Sequence, residues 1–218
     1  MISLLLPSRN RPDNITRLWN SVLETATGPV EMVIRLDDDD TSAYPEAEGI
    51  KYLYGPRDVL SKYWNECYEH ARGPIYMHCG DDIIFRTHGW DNTVKQAFTD
   101  DNIWFVHGDD GIHNAAFGTH GFIHKNWVDA VGYFVPPYFS SDYNDTWLND
   151  VANMIGRRKH VPIFTEHMHF VNGKGPLDQT HQERLTRHQT DGVDALYHSN
   201  EMRQERQNDA EKLRRVMK

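Results

Sequence analysis

Asp81 and Asp82 follow Gly80 at the end of an apolar run, IYMHC (75–79), and four more acids, Asp37 to Asp40, follow the run EMVIRL (31–36). Like charges set side by side are costly unless water or a cation lies between them. Two carboxylates beside a glycine suit a hard divalent cation such as Mn2+ or Mg2+. Such an ion keeps few protein ligands and leaves room for the phosphate oxygens of a substrate. The same residues also make an ordinary Asp-capped turn. His167 and His169 stand two residues apart. Alternate residues of a strand share a face, so both imidazoles can reach one ion; otherwise they are two exposed loop histidines. Of the four acids, Asp37 and Asp38 lie closest to the strand end and are the expected ligand contacts, with Asp39 and Asp40 in solvent.

These residues need elements to position them. ISLLL (2–6) is an unbroken apolar strand, and residues 11–26 place Ile15, Leu18, Trp19, Val22 and Leu23 at helical spacing behind Pro12. Strands follow at 31–36, 50–54, 75–79 and 102–107, with a helix at 57–72 ended by Gly73-Pro74. This alternation predicts a mostly parallel α/β sheet flanked by helices. Ligands of such sheets bind beyond the carboxyl ends of the strands. PSRN (7–10), DDDD (37–40) and GDD (80–82) therefore fall on one rim.

The second half is less regular. Residues 118–134 read as a strand or loop and then a short helix. Residues 144–158 read as a helix with Trp147, Leu148, Val151, Met154 and Ile155 on one face, and VPIF (161–164) as a late strand. From about residue 178 the chain is polar and helical, expected as a peripheral tail or an oligomer contact. No repeat or linker divides the chain, so one domain is expected: a ligand-binding half (1–110), a second half (111–177) and the tail (178–218).

At 218 residues the chain is long enough for a substantial core. Its net charge of −9 argues against a broad nucleic-acid surface. Residues 201–218 run against that trend, with six Lys/Arg against four Asp/Glu, a local charge of +2. No apolar run reaches the roughly 20 residues that span a bilayer. The first apolar run is five residues with no basic residue before it, and so reads as a strand rather than a signal peptide. Cys67 and Cys79, without metal-type spacing, suggest a reducing, cytoplasmic setting.

The stretch LSKYWNECYEHARGPIYMHCGDDI (60–83) resembles, without a gap, a segment of the family-2-like glycosyltransferases of the GT-A fold, with Asn65, Ala71, Gly73, the strand and Asp82 in register. ISLLLPSRNRP resembles the family's opening strand and base-holding turn. EMVIRLDDDDTS resembles its second strand, and SSDYNDTWLNDVANMIGRRKHVP its later acidic motif and helix. The resemblance covers about residues 1–165. It implies a GT-A-like, Rossmann-like fold, and a nucleotide-sugar donor held by Pro7, Ser8, Arg9, Asp37, Asp38, Asn65 and Asp81. It also implies a divalent ion on Asp82, with a histidine from the pair 167/169 as a further ligand, and Asp145 as the base of an inverting transfer. Two departures stand out: Gly80 replaces the first acid of the Asp-x-Asp pattern, leaving Asp81 to take over part of its role, and Trp64 replaces an arginine. A helix start at Asp145 would keep it ionised, although Asp there is also a common N-cap.

Several side chains have two readings in this light. Arg9 and Arg11 can approach the diphosphate, or Arg11 can pair with an acid. Trp90 and the aromatics of YFVPPYF (133–139) can stack on a sugar or fill the core. Arg157, Arg158 and Lys159 suit a helix end, or an anionic acceptor. The acceptor classes are a glycan, a protein, a lipid-linked sugar and modified DNA, with a soluble one fitting a small chain best. Two rivals are a nucleotidyltransferase, against which the glycine-free PSRNRP counts, and a non-catalytic nucleotide- or glycan-binding domain, which Gly80 favours.

Overall fold

The computed structural model describes all 218 residues. Eight strands form one sheet: β1 (Ile2–Pro7), β2 (Val30–Asp37), β3 (Ile50–Gly55), β4 (Ile75–His78), β5 (Ile83–Phe85), β6 (Phe105–Asp109), β7 (Gly121–His124) and β8 (Arg158–His167), in the order β3-β2-β1-β4-β7-β6-β8-β5. The pairs β1–β2, β1–β4, β2–β3 and β6–β8 are parallel, and β4–β7, β6–β7 and β5–β8 antiparallel. The parallel half is the half whose strands read as unbroken apolar runs, because helices cover both of its faces. Insertion of β7 between β4 and β6 reverses the direction in the middle.

Helices α1 (Pro12–Thr25) and α3 (Trp90–Ala97) cover one face, α2 (Leu60–Glu69), α4 (Lys125–Val131) and α5 (Asn144–Met154) the other. In α1 the buried stripe is Ile15, Leu18, Trp19 and Val22, and Leu23, one step around the helix, stays 64% exposed. On α5 the predicted stripe loses Met154, which is exposed at the last turn. The run 75–85 is two elements: β4 ends at His78, and β5 crosses to pair with β8. Gly80 to Asp82 form the turn between them.

The tail is not peripheral. It folds as α6 (Gln179–Thr190), α7 (Val193–Tyr197) and α8 (Asn200–Val216). Met202, Arg206, Asp209, Ala210 and Leu213 of α8 are buried, and the apolar three join Trp127, Trp147 and Leu148 in the larger core. Two of those five positions are charged, which hid the stripe in the sequence. The apolar side of α8 is thus turned into its own chain. No helix is long and apolar enough to cross a membrane.

Candidate metal and donor site

The carboxyl ends of β1, β2 and β4 meet at one cleft of about 240 Å³. At the end of β1, Asn10 adopts a left-handed φ of 55°, a conformation Asn tolerates, and this bends the chain into α1 at Pro12. The bend puts Pro7, Ser8, Arg9 and Arg11 on the cleft wall. Asp37, the last residue of β2, is buried there and accepts hydrogen bonds from Arg9 Nη1 at 2.8 Å and from the Tyr63 hydroxyl. Asp38 points away and is exposed, because the turn after β2 carries it out of the cleft. Asp39, expected in solvent, is exposed but pairs with Arg9, and Asp40 accepts from the Asn10 N–H and the Tyr44 hydroxyl.

The two acids of the β4–β5 turn have different surroundings. Asp81 is buried and accepts from Ser8 Oγ at 2.7 Å and Arg11 Nη1 at 3.0 Å. Arg11 therefore pairs with acids, and its other donors reach Asp178 at 2.7 and 2.8 Å. Asp82 faces histidines. Its carbonyl accepts from the Met168 N–H at 2.7 Å, which fastens the turn to the end of β8 and brings His167 Nε2 within 3.2 Å of Asp82 Oδ2. One candidate ligand of each of Asp82, His120 and His167 lies within 4.8 Å of the others, and Asp82, His169 and His181 form a second such set.

The site favours the forms that bind metal. Burial opposes a charge on Asp82, but the hydrogen bond from His167 holds its carboxyl well below the usual range. Burial pushes His120 down to about 3 and His169 to about 4, so both are neutral imidazoles near neutral pH. Both ring nitrogens of His120 and Nδ1 of His167 are buried without a hydrogen-bond partner. Buried polar atoms are ordinarily paired, so the donor set fits a divalent ion that Asp82 and one nitrogen of each histidine would share.

Asp145 also lines the cleft, in the first turn of α5. The N-cap is Tyr143, at a left-handed φ of 74°, so Asp145 is not the cap. Its Oδ1 accepts from the Thr146 N–H at 2.7 Å. Burial raises its carboxyl to about 6, against the expectation that the helix start keeps it ionised, because desolvation, with the charge of Asp142 beside it, outweighs the hydrogen bonds from the Thr146 N–H and hydroxyl.

Asn65 does not reach the cleft. Its Nδ2 donates to the carbonyls of Ser61 and Val135 at 2.9 Å each, and its Oδ1 accepts from the Phe134 and Val135 N–H groups. Trp90 is fully buried, stacked on Phe85 at 4.1 Å, and Phe134 and Phe139 are core. Arg157 pairs with Asp101, and Lys159 donates to the Ala97 carbonyl, with both side chains over Trp104. That basic run opens β8 rather than ending a helix.

Five cleft residues have no clear signal in the sequence: Arg57, His120, His181, Arg184 and Arg187. The last three come from α6, whose cap Asp178 accepts from the His181 N–H at 3.0 Å. His120 stands between two glycines that hint at crowding. A Cβ on Gly121 would meet the Phe105 ring at 2.1 Å, and one on Gly118 the His107 ring at 2.7 Å.

No protein-family model matches the chain, and no curated protein does either. Solved structures do. The mannosyltransferase PcManGT from Pyrobaculum calidifontis, in complex with GDP-Man and Mn2+, aligns with a TM-score of 0.62 over 88% of this chain at 13% identity. The fold is GT-A-like. This chain covers 64% of PcManGT, less than two thirds of its length. S. aureus TarS (residues 1–349) aligns with a TM-score of 0.54 at 13% identity, over 99% of this chain and 80% of its own. A mycobacterial protein aligns at 0.51 and 15% identity, over 77% and 67%. At these identities the likeness concerns the GT-A-like fold.

Proposed function

We propose that the protein is a divalent-metal-dependent glycosyltransferase that takes a sugar from a nucleoside diphosphate sugar and transfers it with inversion. The observation that carries this reading is the meeting of Asp82, its ring of unpaired histidine nitrogens and Asp145 on one cleft, beside Ser8, Arg9 and Asp37 at the strand ends. The complex of PcManGT with GDP-Man and Mn2+ supports the same class of donor and ion.

Asp82 and His167 would hold the ion, and a bound ion would supply positive charge to offset the negative charge developing on the departing diphosphate. Ser8, Arg9 and Asp37 bind the nucleotide portion and orient the sugar. The carboxylate Oδ2 of Asp145 takes the proton of the attacking acceptor hydroxyl. Gly80, in place of an acid, favours a second reading, a binding domain without turnover.

Thermal shift with a panel of nucleotide sugars, each with and without MnCl2, tests both. A donor at 100 times its Kd adds about 2.7 kcal/mol of stability, and the expected result is a shift that needs sugar nucleotide and metal together. Release of nucleoside diphosphate from the best binder then separates enzyme from binding domain. No shift with any donor would end the proposal.

A further inference from the structure

A Cβ built on Gly80 would lie 2.8 Å from Asp82 Oδ1 and 3.2 Å from His120 Cε1. A side chain at the position where the resemblance expects an acid would therefore press on the carboxylate tip of Asp82 and on His120, whose imidazole occupies the space beside it. We infer that His120, delivered by the residue just before β7, is a metal ligand that stands in for the acid missing at position 80. The inference rests on the proposed metal site and assigns its ligands.

Three observations select the Asp82–His120–His167 set over the set with His169 and His181. His120 is 7% exposed, and neither of its nitrogens has a partner. No chain group satisfies it, so its burial is unexplained without a ligand. His169 Nδ1 already accepts from the Val171 N–H, whereas His167 Nδ1 is free. His181 sits against the Arg11 guanidinium, with Nη2 2.8 Å from its Nδ1, and a fixed cation there repels a second one.

Exchanging a carboxylate for an imidazole changes what the site selects. Oxygen ligands suit Mg2+, and imidazole suits later transition ions. One carboxylate with two buried imidazoles prefers Mn2+, and Co2+ still more, to Mg2+.

The test is calorimetric titration of the full chain with MnCl2 or MgCl2 alone. The parent is expected to bind Mn2+ more tightly than Mg2+, and equal affinities overturn the inference without needing any variant. His120→Ala is expected to weaken Mn2+ binding at least about tenfold. Gly80→Asp alone crowds the His120 imidazole and is expected to weaken binding too. The double variant Gly80→Asp/His120→Ala is expected to recover binding, with the preference moved toward Mg2+, a coupling that independent sites do not show. If Asp82→Ala abolishes Mn2+ binding while His120→Ala stays within about twofold of the parent, His120 is a core residue and only this inference falls. If the parent binds no divalent ion, the metal-dependent reading falls with it.

Discussion

Arg11 and Asp81 form a buried ion pair at 3.0 Å, and this contact divides the labour between two adjacent acids. Asp81 ties the loop after β1 to the loop after β4, and Asp82 is left to the histidines. Arg11 keeps Asp178 as a second carboxylate when Asp81 is lost, so Asp81→Ala costs the hydrogen bonds from Ser8 and Arg11, about 1–3 kcal/mol, read from urea melts. Asp82→Ala should destabilise as well, because His167 loses its acceptor, and should alone abolish the Mn2+-dependent thermal shift. A thermal shift lost equally in both variants would contradict this division.

Asp145 carries a pH signature. Its folded-state carboxyl is raised to about 6, so the folded chain holds a proton there more tightly than the unfolded chain does. Stability from this group is present at low pH and is lost as pH rises toward 6. Asp145→Asn removes that penalty. At pH 8 the variant is expected to be more stable than the parent, by on the order of 1–3 kcal/mol, with the difference gone by about pH 4. Transfer should fall by about 10²–10⁴ in kcat, and parent activity should decline below about pH 6. A variant that melts lower at pH 8, or keeps more than a tenth of kcat, would remove Asp145 from the base role.

Asn65 separates a donor contact from a brace. Its amide makes four hydrogen bonds to the backbone at Ser61, Phe134 and Val135. Asn65→Ala leaves those groups unpaired, at about 1–3 kcal/mol for the buried ones. The expected outcome is a lower melting temperature with donor affinity unchanged at a temperature where the variant is folded. A large loss of donor affinity with no change in melting would show that Asn65 touches the nucleotide.

Asp209 holds α8 to the body of the fold, accepting from Trp147 Nε1 at 3.0 Å and from the Tyr133 hydroxyl. Asp209→Ala strands two buried donors and should cost about 2–4 kcal/mol. Asp191→Ala, at an exposed helix end, is the control and should stay within about 0.5 kcal/mol. Similar melting of both variants would mean that α8 is only loosely attached.

The first half of the fold was legible because β1, β2 and β4 are buried on both faces and their helices carry clear apolar stripes. Pro7, Ser8, Arg9, Asp37, Asp81 and Asp82 line one cleft at the strand ends, and Asp145, His167 and His169 line it too. Asp38 failed because strand-end proximity does not fix the direction of a turn. His120 and His181 were illegible for a different reason. Each sits in a locally irregular or polar segment, and what brings it to the cleft is the packing of elements far apart in sequence. Trp90 shows the converse: an aromatic in a loop-like context proved to be core, because α3 begins at that residue and turns it inward.

The cleft wall joins Arg11 to Asp178, 167 positions apart in the chain. Contacts of such long separation form only after most of the loop-closure entropy has been overcome, so high contact order slows folding. During synthesis, the rim made by β1 and β4 waits for α6 before Arg11 finds its second carboxylate. A nascent chain ending near residue 165 should thus hold the strands of the cleft yet lack its α6 wall.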